Sequence, residues 1–127
     1  MELLIVDDSK SVLAFAQQLV SQQFADRVNV HLCESGREAE SVLDSQPIDL
    51  VMTDVFMPEM DGYELTKRIR KKYKDMMVVV MSGGYRQASS DTTLKTASIL
   101  GADFVIDKSD LEVELTKTLQ LFLGVSD

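Results

Sequence analysis

The chain has 127 residues, of which 45% are hydrophobic, the size and make-up of one globular domain. Its 21 acids against 13 bases leave a net charge of −8, which speaks against a nucleic-acid partner, whose phosphates need a basic surface, and against docking on an anionic membrane. The single cysteine, Cys33, excludes an internal disulfide and lies in an apolar run as a buried, inert thiol.

Strand and helix patterns alternate from the start. Leu3-Leu4-Ile5-Val6 reads as a strand that stops at Asp7-Asp8. No basic segment with an apolar core follows Met1, and no apolar stretch approaches ~18 residues, so the chain reads as cytoplasmic, with no membrane span. From Ser9 to Phe24, the residues Val12, Leu13, Ala16, Leu19, Val20 and Phe24 form a helical stripe. Val28 to Cys33 is a half-buried strand. Gly36 to Asp44, with Ala39, Val42 and Leu43, is a short helix that ends ahead of Pro47. Ile48 to Asp54 is the third strand, and Pro58 and Gly62 mark the loop after it. Asp61 and Glu64 resemble a helix-start capping pair, and Leu65, Ile69 and Tyr73 mark the buried side of the third helix.

Met76 to Met81 is unbroken and apolar, as a strand covered on both faces should be. A polar loop, Gly83 to Asp91, leads to a fourth helix through Leu94, Ala97 and Leu100, which Gly101 is placed to end. Phe104 to Asp107 is the fifth strand. Ser109 and Glu112 form a second capping signature ahead of Leu111, Leu115, Leu119 and Phe122 of the last helix. The sum over residues 1–127 is (βα)5, an α/β fold with a doubly wound parallel sheet. No repeat, low-complexity segment or linker interrupts it.

In such a sheet the strand ends share one edge, which is where ligands bind. Asp7, Asp8, Asp54, the Ser82 hydroxyl and the Lys108 ammonium then converge. Crowded carboxylates repel one another, which favours a bound cation or raised pKa values. Oxygen ligands without a Cys/His set suit Mg²⁺ rather than zinc. Asp54 is the best candidate nucleophile, because a carboxylate attacking phosphorus gives an acyl phosphate. Lys108 supplies a compact cation, and Ser82 a hydrogen bond for a phosphoryl oxygen. Each residue alone has a plainer account: Asp7 and Asp8 as turn residues or helix caps, Lys108 as a surface lysine, Ser82 as the exit from a strand before Gly83-Gly84. Their combination at four strand ends carries the reading.

This set, together with the string Asp54-Val55-Phe56-Met57-Pro58-Glu59-Met60-Asp61-Gly62 and the pair Ser82-Gly83, resembles the bacterial response-regulator receiver domain of two-component signalling. The resemblance covers essentially the whole chain. It implies a flavodoxin-like strand order 2-1-3-4-5. It implies that Asp54 accepts a phosphoryl group from a histidine kinase, a phosphotransfer protein or a small phosphodonor. Asp8 would bind Mg²⁺ directly and Asp7 mainly through water, with Asp54 and the Phe56 backbone carbonyl completing the protein ligands. Ser82 and Lys108 would contact the phosphoryl oxygens. Movement of Ser82 would rearrange the face around helix four, strand five and helix five for a downstream protein target.

The chain departs from the family pattern in three places. Ser109 stands where proline usually follows the lysine; a cis bond there costs about 3–4 kcal/mol, so the bond is either trans or held cis under strain. Val105 stands where a switch aromatic is usual, and Phe104, one position earlier, points to the opposite face. The stretch from Ser82 to Gly101 is longer than usual, as a partner contact, a lid or a tolerated insertion.

Other classes compete less well. A receiver-like module that docks without phosphorylation has no need of the intact acid set. A phosphohydrolase with an aspartate nucleophile commonly needs a second acid two residues on, where this chain has Phe56. A flavin-binding protein would need a Ser/Thr/Gly-rich loop after Val6. Lys67, Arg68, Arg70, Lys71, Lys72 and Lys74 read as a solvated helix face, or a surface for an acidic partner. His31 stands in a strand with no ligand set nearby. Phe56, by its bulk, is placed to hinder water at Asp54. No output domain lies within the 127 residues.

Overall fold

Five parallel strands form one sheet in the order β2-β1-β3-β4-β5. The computed structural model describes residues 1–82 and 101–124. In chain order the elements are β1 (Glu2–Val6), α1 (Lys10–Phe24), β2 (Asn29–Cys33), α2 (Gly36–Ser45), β3 (Leu50–Asp54), α3 (Gly62–Lys72), β4 (Met77–Ser82), β5 (Phe104–Asp107) and α4 (Leu111–Leu123). The expected loop from Gly83 and the helix through Leu94, Ala97 and Leu100 lie outside the described residues.

Strand alternation divides the core in two. Leu3, Ile5, Leu50, Met52, Val79, Met81 and Ile106 face α1 and α4, packing with Leu13, Leu19, Val20, Leu115 and Leu119. Leu4, Val6, Val51, Val78 and Val80 face α2 and α3, packing with Ala39, Leu43, Leu65 and Ile69. Each such side chain contributes about 1.5–3 kcal/mol by leaving water. Truncating one at the middle of the sheet, such as Met52→Ala, costs about 2–5 kcal/mol.

Local signals set the helix starts. The Ser9 hydroxyl accepts the Val12 N–H at 3.3 Å and fixes the start of α1. Asp61 accepts the Glu64 N–H at 2.8 Å in front of α3. The Glu64 side chain does not return the favour; it pairs with Arg68 at 2.9 Å. The expected Ser109–Glu112 cap does not form. Ser109 lies inside a short 3₁₀ turn, Lys108–Asp110, and Asp110 stands in front of α4 with no side-chain cap. The physical reason is local competition, since the carboxylate of Asp107 takes both Ser109 donors. Among the described residues no peptide bond is cis, so Lys108–Ser109 is trans.

Three further readings are refined. Arg70 is not part of a solvated stripe: its guanidinium donates to the carbonyls of Gly101, Lys74 and Met76 and to Asp103. His31 has a partner, its Nε2 lying 2.7 Å from Glu2 Oε1 across the β1–β2 pair. Phe104 packs edge-on against Phe122 of α4 with ring centroids 6.1 Å apart, while Val105 packs on the α2/α3 side, as period-two alternation requires. Cys33 is buried, and burial pushes its thiol up to about 11.

Candidate functional site

Parallel register brings the strand ends level. Val6 lies opposite Thr53, Asp54 opposite Met81, and Ser82 opposite Asp107. The residues that close these strands therefore emerge along one edge. Asp7 is 0% exposed and Asp54 6%, whereas Asp8 is open to solvent. One carboxylate oxygen from each of Asp7, Asp8 and Asp54 lies within 4.8 Å of the other two. Lys108 reaches in from the edge strand, its side chain 20% exposed. Its Nζ lies 2.8 Å from Asp7 Oδ2 and 3.3 Å from Asp54 Oδ1.

Asp7 is fixed by the backbone around it. Its N–H donates to the Cys33 carbonyl at 3.0 Å, and its Oδ1 accepts the Ser9 N–H at 2.9 Å. Its Oδ2 is buried and accepts no hydrogen bond from a described residue; its neighbour is the Lys108 ammonium, an ionic contact. A buried anionic oxygen of this kind, beside two further carboxylates and no thiolate or imidazole, fits a hard divalent cation.

Electrostatics follow from this crowding. Burial, and then the charge of Asp7, push the Asp54 carboxyl up to about 6, against the pull of Lys108. Burial works against the charged form of Lys108, but its contacts with Asp7 and Asp54 outweigh that and hold the ammonium above its ordinary value.

The loop after β3 is built to keep Asp54 at the edge. The Thr53 hydroxyl donates to the Asp54 carbonyl at 3.0 Å, and the Gly62 N–H donates to the Val55 carbonyl at 2.7 Å. Met57 and Met60 are buried and tie the loop to the core, and Glu59 between them takes a left-handed φ of 68°. Phe56 is 45% exposed in the same loop, and its carbonyl accepts no backbone hydrogen bond from a described residue.

Of the residues singled out from the sequence, Asp7, Asp8, Asp54 and Lys108 meet in one cluster. Ser82 is buried at the adjoining strand end, but its hydroxyl is turned to β5, donating to the Ile106 carbonyl at 3.3 Å. Gly62 and Asp107 were not singled out for the site. The first carries a signal in the sequence, a glycine directly after a capping acid; the second sits inconspicuously at the end of an apolar run.

A family model of the response regulator receiver domain matches residues 3–120. The chain is 34% identical over 119 residues to the CAI-1 autoinducer sensor kinase/phosphatase CqsS of Vibrio cholerae, covering 91% of this chain and 16% of that protein. Against the response regulator GtcR of Aneurinibacillus migulanus, identity is 30% over 120 residues, 93% of this chain and 46% of that protein. With the chemotaxis protein CheY homolog of Campylobacter jejuni it shares 35% over 98 residues, 75% of this chain and 74% of that protein. The chain thus spans a minor part of the first two and about three-quarters of the third.

Among solved structures, a CheY-like receiver domain protein from Methanospirillum hungatei superposes with a TM-score of 0.81 at 24% identity, covering 97% of this chain and 93% of that one. The receiver domain of a signal transduction histidine kinase from Syntrophus aciditrophicus gives 0.82 at 26% identity, covering 97% and 89%. The expected strand order is the observed one, and no helix among the described residues is long and apolar enough to cross a membrane. With 118 positions, from 3 to 120, matched to one family model, the chain belongs to the response regulator receiver domain family.

Proposed function

We propose that this receiver is a phosphoacceptor of two-component signalling, acting in the cytoplasm, in which Asp54 takes a phosphoryl group and the modified chain engages a downstream protein. The donor would be a histidine kinase, a phosphotransfer protein or a small phosphodonor. The observation that carries the reading is the meeting of Asp7, Asp8, Asp54 and Lys108 at the end of the sheet.

Asp7, Asp8 and Asp54, with the Phe56 carbonyl, would hold Mg²⁺. When bound, the ion supplies charge neutralisation for phosphoryl oxygens. An Asp54 oxygen forms the new O–P bond as the bond from phosphorus to the donor breaks, and the leaving group departs with that electron pair. Lys108, already 3.3 Å from Asp54 Oδ1, offers its ammonium to the phosphoryl charge. The Ser82 hydroxyl, now spent on the Ile106 carbonyl, would donate to a phosphoryl oxygen after rotating about its Cα–Cβ bond. Releasing Ile106 would report the event to β5, a local charge change biasing a two-state element.

The chain is not a turnover enzyme in this reading, because Phe56 has no proton to give where a phosphohydrolase keeps its second acid.

The test is intact-mass analysis after incubation with acetyl phosphate. One phosphoryl mass should be gained with Mg²⁺, lost on adding EDTA beforehand, and absent in Asp54→Asn. Equal labelling of Asp54→Asn would sink the proposal. Failure of labelling together with failure to bind beryllofluoride would favour a module that docks without phosphorylation.

A further inference from the structure

The position of Lys108 depends on the backbone either side of it. A lysine stem is long and flexible, so an ammonium held between two carboxylates needs a well-anchored starting point. Lys108 follows the last residue of β5, Asp107, which lies opposite Ser82 in the sheet. It opens the 3₁₀ turn Lys108–Asp110, and its carbonyl accepts the Leu111 N–H. Leu111 is buried in the core, which anchors the far side of the turn.

The near side is closed by a side chain. Asp107 Oδ1 accepts the Ser109 N–H at 2.9 Å and the Ser109 hydroxyl at 2.8 Å. Asp110 contributes no side-chain cap to the helix that follows. One carboxylate oxygen therefore fixes how the chain leaves the strand, at the residue where Lys108 must turn inward.

We propose that Asp107, acting through Ser109, is the positioning residue for Lys108. It touches neither Asp7 nor Asp54, and it works by shaping the turn from which the ammonium reaches them. Its consequence for phosphoryl transfer rests on the function proposed above; its effect on where Lys108 points does not.

Three substitutions separate the turn from the charge. Asp107→Asn keeps an acceptor oxygen and removes the charge. Asp107→Ala removes both. Ser109→Ala removes one of the two bonds and keeps the backbone donor. The first measurement is reductive methylation with formaldehyde and a borane reductant, read at each lysine by peptide mass spectrometry. Exposed Lys67 and Lys71 serve as internal references. In the unsubstituted protein Lys108 should react more slowly than either reference. Asp107→Ala should speed its modification about fivefold or more relative to them, the low end of what two lost hydrogen bonds amount to. Asp107→Asn should stay close to the unsubstituted rate, and Ser109→Ala should fall between.

The second measurement is the rate of Asp54 labelling by acetyl phosphate in Mg²⁺, which should fall in Asp107→Ala and recover in Asp107→Asn. Unchanged protection of Lys108 in Asp107→Ala would overturn the assignment. So would equal exposure in Asp107→Asn and Asp107→Ala, which would make charge the cause. If Asp107→Ala does not fold, an unchanged Lys108 rate in Ser109→Ala overturns it and a raised rate supports it. If the unsubstituted protein is never labelled, the phosphoacceptor reading falls, and the methylation series still decides the role of Asp107.

Discussion

Gly62 packs directly against the backbone that carries Asp54. A Cβ at position 62 would collide with the Asp54 carbonyl oxygen and lie 2.9 Å from both the Asp54 carbonyl carbon and the Val55 Cα. Those atoms are rigid backbone and cannot step aside. Gly62→Ala should therefore destabilise the protein by more than about 2 kcal/mol, in the upper range of overpacking costs. Urea unfolding followed by far-UV circular dichroism measures this. An ordinary midpoint for Gly62→Ala would show that the loop yields more easily than its contacts imply.

Stability in metal-free buffer should depend on Asp54 and pH with a definite sign. The folded carboxyl titrates at about 6 against an ordinary 3.8. Between these values the folded state keeps a proton that the unfolded chain has released, so stability falls as pH rises through the window. The full difference corresponds to at most about 3 kcal/mol. Asp54→Asn should match the unsubstituted protein near pH 4 and exceed it by about 1–3 kcal/mol at pH 7.5 in EDTA. Paired urea titrations at the two pH values decide it; a constant difference would contradict the burial and repulsion ascribed to Asp54.

Phe56 stands two residues past the proposed phosphoacceptor and is half exposed. On the function proposed above, its bulk would restrict the approach of water, and Asn offers a smaller, polar side chain. Phe56→Asn should lose its phosphoryl group about 3-fold or more faster, a barrier change of at least about 0.6 kcal/mol. The decay of the phosphorylated mass after removal of acetyl phosphate measures it. Equal or slower decay would remove Phe56 from the account.

Arg70 should prove far less tolerant of substitution than its basic neighbours. Its guanidinium makes two bonds to Gly101 O, at 3.1 and 2.7 Å, one each to Lys74 O and Met76 O, and one to Asp103 at 2.8 Å. A lysine ammonium cannot reproduce that fork. Arg70→Lys should cost about 1.5–3 kcal/mol, while Lys67→Ala and Lys71→Ala stay within about 0.5 kcal/mol. Comparable midpoints for all three variants in denaturant would mean that the Arg70 contacts add nothing net.

Much of this was legible in the sequence because apolar runs that stop abruptly in acids carry two messages at once. Ile5-Val6-Asp7 and Met52-Thr53-Asp54 mark a buried strand and the edge where it surfaces. Asp61 announced α3 because a cap acts within three residues of itself; the Ser9 cap of α1 was not read from the sequence. Ser109 misled for the same local reason: two residues upstream, Asp107 offers a competing acceptor for the Ser109 donors.

Arg70 was hidden inside a basic run. Its spacing from buried Thr66 and half-buried Tyr73 sets it at the border of the apolar stripe, although its charge matches the exposed lysines beside it. The His31–Glu2 pair could not be seen before the β1–β2 register was known, since the two residues lie 29 positions apart. The aim of the Ser82 hydroxyl is a rotamer, and no sequence pattern encodes it.

The ammonium lying between Asp7 and Asp54 has a consequence for the order in which molecules arrive. Fully ionised, three acids and one base leave this hollow with two surplus negative charges, and every phosphate donor is an anion. On the function proposed above, such a donor would meet less repulsion once a doubly positive ion had settled among Asp7, Asp8 and Asp54. Phosphoryl delivery, on that same reading, would then be gated by free divalent cation as well as by the donor.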